Sequence, residues 1–133
     1  MESHPTMNDF ELLSLLGKGH FATVYLVRCR TSGQEFALKV LKKHELAHKN
    51  QIGHSWSERN ILASTSHPFI VHLHAAFQSS KKVYFLLEYC PGGSLYLHLH
   101  RMTHFGVLQA RFYAACVLLA LEHLHSRDIV YRE

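Results

Sequence analysis

The stretch that decides how this chain folds is FALKV, residues Phe36–Val40, in which a lysine stands in the middle of an apolar, strand-like run. An ammonium placed there without a partner loses its hydration and gains nothing in return, so Lys39 calls for an anion from elsewhere in the fold. Glu58, nineteen positions on, is the natural candidate. It falls in a segment, Ile52 to Ser64, that reads as a helix, with Ser55 and Glu58 at capping-box spacing near its start and the biased residue before Pro68 stopping the pattern beyond its end. A strand lysine paired to a helix glutamate is thus the first structural expectation.

Upstream of FALKV, residues 10–18 and 22–29 carry strand-like runs, separated by GKG and followed by TSGQ, a hairpin loop before the strand at 35–42. The run Leu16-Gly-Lys-Gly-His-Phe-Ala-Thr-Val24 therefore lies between two strands. A dinucleotide-binding fingerprint needs a strand before the glycines and a helix after them, so that reading is excluded. What remains is a flexible hairpin whose backbone N–H groups can close over a polyphosphate, with Gly17 and Gly19 omitting the Cβ atoms that would block the approach. Downstream, residues 70–77 and 83–89 read as two further strands joined by QSSKK. PGG (91–93) then breaks the chain before a short helix near 94–101 and a longer one from about 108 to 126. The fold class is α+β: a five-stranded antiparallel sheet with one main helix, followed by two helices of an incomplete helical region.

Composition supports a packed domain, with 47% hydrophobic and 18% charged residues in 133. The net charge of +4 is modest and scattered, which gives no reason to expect nucleic-acid binding. Cys29, Cys90 and Cys116 are odd in number, lack CxxC spacing and sit in apolar segments, so buried thiols in a reducing, cytoplasmic setting are expected. The longest unbroken apolar run, Phe112–Leu121, is too short to span a bilayer, and no membrane span is expected. Thirteen histidines include three HLH tripeptides. Only a strand puts i and i+2 on one face, so only His72 and His74 can chelate from a single element, and with no Cys or carboxylate at ligand spacing beside them no native metal site is expected.

The ordered set GxGxxA, FALKV, a helical glutamate, HPFIV and LLEYCPGG resembles the N-terminal lobe of a protein kinase. HPF after the helix, QIGHSWSERNIL and the ending IVYR look like the AGC group of serine/threonine kinases. The resemblance runs from Asp9 to the last residue and implies a tail at 1–8, an N-lobe with hinge at 9–90 and the truncated start of a C-lobe at 91–133. ATP is then the implied ligand. The loop Gly17, Lys18, Gly19, His20, Phe21 and Ala22 would cover its phosphates, with Ala22 replacing the third glycine. Leu16 and Val24 would cap the adenine and Ala37 would line its pocket. Lys39 would hold the α- and β-phosphates while paired to Glu58. Leu87 would be the gatekeeper, the backbone of Glu88 and Cys90 would meet the adenine edge, and Ser94 stands where many AGC kinases have a ribose-binding glutamate. His54 and Arg132 match positions that reach a phosphorylated activation loop, Lys43 borders a dock for a C-terminal hydrophobic motif, and Leu62 and Leu73 fit an internal hydrophobic column.

Glu133 falls where the family has its catalytic aspartate, one methylene longer, and the family's downstream asparagine and DFG aspartate, which hold magnesium, do not occur in the sequence. The chain as given is therefore expected to be inactive alone, with protein substrates belonging to a full-length parent. The alternative is a noncatalytic lobe acting as an interaction or decoy module. FYAACVLLAL (112–121) is apolar on every side of its helix and needs cover, so an isolated chain is expected to be poorly soluble or chaperone-bound.

Overall fold

The computed structural model describes residues 5–20, 22–48 and 51–130. They form strands β1 (Phe10–Lys18), β2 (Ala22–Cys29) and β3 (Glu35–Lys42), helices α1 (Lys43–His48) and α2 (Ile52–Ser64), strands β4 (Leu73–Gln78) and β5 (Lys82–Glu88), and helices α3 (Leu95–Met102) and α4 (Val107–His125). The five strands make one antiparallel sheet in the order β1-β2-β3-β5-β4. The chain gathers into two compact units, one of Met1–Ser64 with His72–Tyr89 and one of Thr65–Val71 with Cys90–Glu133.

Alternation along β3 assigns the two faces of the sheet. Phe36, Leu38 and Val40 point to one side and pack with Phe10, Val27, Tyr84 and Leu86, while Leu41 on the other side packs with Leu46, Leu73 and Phe85. Leu38 and Val27 are wholly enclosed, each side chain stabilising the fold by about 1.5–3 kcal/mol through removal from water. The β2–β3 hairpin closes through Cys29 N–H donating to the Gln34 carbonyl and Gly33 N–H to the Cys29 carbonyl, both at 2.8 Å. Gly33 has φ +71°, a left-handed conformation that disfavours any Cβ, which is why glycine stands there.

Several elements differ from the sequence expectation. Helix α1 has no counterpart in it: six residues following directly on β3 are too few to show a period, and the helix is anchored by Leu46, which is buried, and by a Lys42–Glu45 pair at 2.8 Å. Ser55 is inside α2 and does not cap it, its N–H donating to the Gln51 carbonyl, because α2 already begins at Ile52. Strand β4 starts three residues later than expected. The HPF segment closes a turn instead, with Ile70 N–H donating to the His67 carbonyl and Phe69 N–H to His67 Nδ1. The thiols are free but not enclosed: Cys29 and Cys116 are half-buried and Cys90 is exposed, because each flanks an element end or an uncovered face.

In the second unit α3 is capped by Ser94, whose Oγ accepts from Leu97 N–H at 3.3 Å, and Gly93 (φ +77°) turns the chain into that cap. Helix α4 buries none of its residues, and Leu108, Phe112, Val117 and Leu118 are all more than half exposed. The apolar run that falls short of a bilayer is carried by a helix of 19 residues that is long and apolar enough to cross one, a test that core helices of soluble domains also pass.

Candidate functional site

The sheet register builds the site. Val24 pairs with Lys39 and Lys39 with Phe85, while Leu26 pairs with Ala37 and Ala37 with Leu87. Paired residues share a face, so Val24, Ala37, Lys39 and Leu87 stand together on the side opposite Leu38, an apolar surface with one cation in it. The ammonium of Lys39 is held from above by α2: Nζ donates to Glu58 Oε1 at 2.6 Å and to Oε2 at 2.8 Å. Lys39 is 22% exposed and Glu58 41%, so the pair is solvated enough that its net contribution to stability lies within about 0–1 kcal/mol. Its consequence is geometric. The pair fixes where an ammonium sits, beside a half-buried apolar wall, with one of its three N–H donors left for a second anion.

The glycine loop joins β1 to β2 and closes through Gly19 N–H donating to the Ala22 carbonyl at 2.8 Å. A Cβ at Gly17 would meet nothing within 4 Å, and one at Gly19 only the Ala22 carbonyl at an ordinary 3.6 Å; neither residue adopts a positive φ. The protein's own packing therefore does not demand glycine at either position. Gly17 is directly opposite Val24, next to a register irregularity between Leu15 and Gly17 that leaves Leu16 43% exposed at the rim.

Not every expected residue faces this site. Lys18 pairs with Thr23, which pairs with Val40, and this register turns the Lys18 side chain to the opposite face. There Lys18 and His20 line a cavity of about 440 Å³ with Tyr25, Val40, Lys42 and Tyr84. Any part the two take on the Lys39 side is through the backbone of the loop, the part the sequence reading gives that loop. His54 lies exposed on α2. Phe21, Arg132 and Glu133 lie outside the described residues.

At the far end of β5, Leu87 is half-buried between Ala37 and Leu73, and Glu88 is tied to the chain before β4: its N–H donates to the His72 carbonyl at 2.9 Å and its Oε2 accepts from His72 N–H at 3.3 Å. Leu62 packs against the cluster that contains Leu73. Cys90 and Ser94 belong to the second unit, where Ser94 is already engaged as a helix cap.

A second concavity of about 530 Å³ lies between α1, α2 and the β4–β5 edge, lined by Lys43, Leu46, Ile52, Trp56, Val83 and Phe85. Lys43 at its edge donates to Gln78 Oε1 at 2.7 Å, holding α1 to β4. The sequence reading named Lys43 and the outer face of the helix, but not Leu46, whose signal was confined to the short α1. Among the described residues no three of His, Cys, Asp and Glu gather at metal-ligand distances.

Comparison with known proteins agrees with this geometry. The protein kinase domain family matches residues 10–133. The human RAC-beta serine/threonine-protein kinase is 46% identical over 128 residues, covering 96% of this chain and 27% of that protein. The RAC family serine/threonine-protein kinase homolog of Dictyostelium discoideum is 46% identical over 125 residues (94% and 28%), and serine/threonine-protein kinase sgk-1 of Caenorhabditis elegans 43% over 129 (96% and 28%). The chain thus spans little more than a quarter of the length of these relatives.

Proposed function

Since this chain belongs to the protein kinase family, we propose that it is the ATP-binding portion of an AGC-type serine/threonine kinase, with Lys39 as the residue that fixes the nucleotide's phosphates. The observation that carries the reading is the bidentate Lys39–Glu58 pair beside the apolar face of Val24, Ala37 and Leu87. Adenine is flat and apolar on its faces, and the triphosphate is anionic, so an apolar wall with one oriented ammonium and an open glycine loop suits both halves. Bound ATP would supply the γ-phosphoryl group for transfer to a protein hydroxyl. This chain's own residues bind and orient: Val24 and Ala37 exclude water from the base, Glu58 aims Lys39, and the Gly17–Gly19 backbone admits the phosphates. The adenine-edge roles of Glu88 and Cys90, and the ribose role of Ser94, follow from the resemblance alone. The magnesium-binding asparagine and aspartate of the family do not occur in this sequence, so no step is assigned to the metal.

Lys39→Met in the same chain tests the reading. Titration with a fluorescent ATP analogue should show binding that weakens by about tenfold or more in the variant, the equivalent of about 1.4 kcal/mol. Equal affinity in both proteins would remove Lys39 from the site. Protein substrates and catalysis belong to the longer kinase on this reading, and three unpaired thiols suit a reducing cytoplasm.

A second reading rests on the cavity beneath α2. It is apolar, with Lys43 and Arg59 at its rim, and suits an aromatic-rich, acidic-ended peptide, which supports a docking role for the lobe independent of catalysis. A peptide carrying the family's C-terminal hydrophobic motif should bind the chain and lose affinity in Leu46→Glu. Binding unaffected by that charge would place the peptide elsewhere.

A further inference from the structure

The turn that carries HPF meets the end of α4 through two histidines, His67 and His123, both within the second unit. Their ring centroids stand 4.9 Å apart with planes inclined at 39°. The turn uses His67 in its neutral form. Its Nδ1 accepts from Phe69 N–H at 3.1 Å, and a proton on that nitrogen would set two donors against each other.

His123 is half-buried, and its Nε2 is enclosed with no hydrogen-bond partner among the described residues. An enclosed polar atom left unsatisfied is rare in native proteins and calls for a reason. An imidazolium donates from both nitrogens, so charging His123 would put an N–H at Nε2 with nothing to receive it. The charges acting on this ring are Arg127, four residues on, and His67, and both oppose a further proton. Burial first, then Arg127 and His67, hold the His123 imidazole below the ordinary histidine range.

We propose that the His67–His123 contact is a pH-sensitive latch, which holds the 65–71 turn on α4 while both rings are neutral and releases it when His123 takes up a proton. With its value lowered by the docked surroundings, His123 binds a proton more readily in the released state than in the docked one. The latch is therefore at full strength above about pH 6.5, the ordinary histidine value, and weakens as the pH falls below it. The turn is also the covalent joint between α2, which ends at Ser64 and carries Glu58, and β4, which begins at Leu73. Neither the nucleotide nor the Lys39 pair enters the argument, so the latch stands or falls apart from the kinase reading.

The test is amide hydrogen exchange of the full chain, followed by NMR at about pH 7.5 and about pH 5.5, roughly one unit either side of the ordinary histidine value, with rates corrected for the intrinsic pH dependence of exchange. The reporter is Ile70, whose N–H donates to the His67 carbonyl at 3.1 Å and so does not depend on the imidazole directly. One proton taken up on release raises the open fraction by up to about tenfold over that interval, and Ile70 protection should fall accordingly. His123→Phe keeps a ring against His67 but cannot be charged, and should flatten the response. His44→Gln, at an exposed histidine of α1, should leave it as it is. A second measurement does not depend on how any variant folds: in the unaltered chain the His123 ring signals should titrate with a midpoint below about 6.5. A midpoint at or above that value, or an Ile70 response that persists in His123→Phe, would overturn the latch and leave the two rings as packing only.

Discussion

Replacing Glu58 by Gln removes one charge and keeps the side chain's size, which separates two explanations of the Lys39–Glu58 pair. If the pair exists to hold the lobe together, its loss should appear in stability. The geometry argues otherwise: Glu58 is 41% exposed and Lys39 22%, so solvent screens the pair and its net worth is about 1 kcal/mol or less. If the pair exists to aim an ammonium at a second anion, the loss should appear in nucleotide affinity. A hydrogen bond to a charged group is worth about 1.5–3 kcal/mol. Lys39 released from its two bonds at 2.6 and 2.8 Å forfeits that contact with the phosphates in whatever fraction of conformers it swings away. Complete loss corresponds to roughly 10- to 150-fold weaker ATP binding. The chain has one tryptophan, Trp56, on α2 and 54% exposed, so its fluorescence in a urea titration reports unfolding from the helix that carries Glu58. Glu58→Gln should move the urea midpoint little and the ATP dissociation constant much. The reverse pattern, a large loss of stability with unchanged affinity, would refute the positional role.

Other outcomes follow from the same geometry. Leu38→Ala, which empties a fully enclosed position, should cost about 3–5 kcal/mol and visibly lower the thermal midpoint, against little change for a surface Lys82→Ala control. Gly33→Ala, at φ +71°, should destabilise the β2–β3 hairpin by about 1–2 kcal/mol in chemical denaturation. The Cys29 thiol is pulled down to about 6 by hydrogen bonds from Ser32 and then Thr31, so it is mostly thiolate at pH 7, and its alkylation rate should fall by half near pH 6; Ser32→Ala with Thr31→Val should move that midpoint up. Asp9 is held below its usual range by the Thr6 backbone and then the Thr6 hydroxyl. Its contribution is present at neutral pH and lost as acid protonates it, a loss that Thr6→Val, which removes the hydroxyl but keeps the larger backbone hydrogen bond, should reduce without abolishing in a pH titration of stability.

The sheet was legible because 35–42 and 83–89 carry apolar and β-branched runs of strand length, and because TSGQ and QSSKK supply turns between runs. Helix α1 was not. Six residues make fewer than two turns, and its one buried residue, Leu46, is indistinguishable in sequence from any loop leucine. The cap assigned to Ser55 and Glu58 failed for a related reason: the spacing is right, but a carboxylate facing a strand ammonium gains more there than at a helix end.

For the site, the energetic argument reached further than the pattern. That Lys39 must have an anion follows from the cost of an unpaired ammonium, wherever the chain goes, and the structure supplies Glu58 across nineteen residues. Lys18 shows the limit. It is three residues closer to the turn than Leu15, but register irregularities after Leu12 and Leu15 shift the pleat, and the side chain emerges on the far face, among Tyr25 and Val40. No local spacing encodes such a shift. The histidines make the same point from the other side. HLH is one pattern three times, and only long-range pairing distinguishes the copy at 72–74, by holding it at a sheet edge and bringing Glu88 to His72 from sixteen residues beyond. Chemistry that depends on a residue's own cost can be read from sequence. Chemistry that depends on which face or which neighbour the pairing selects becomes visible only when the strands are in register.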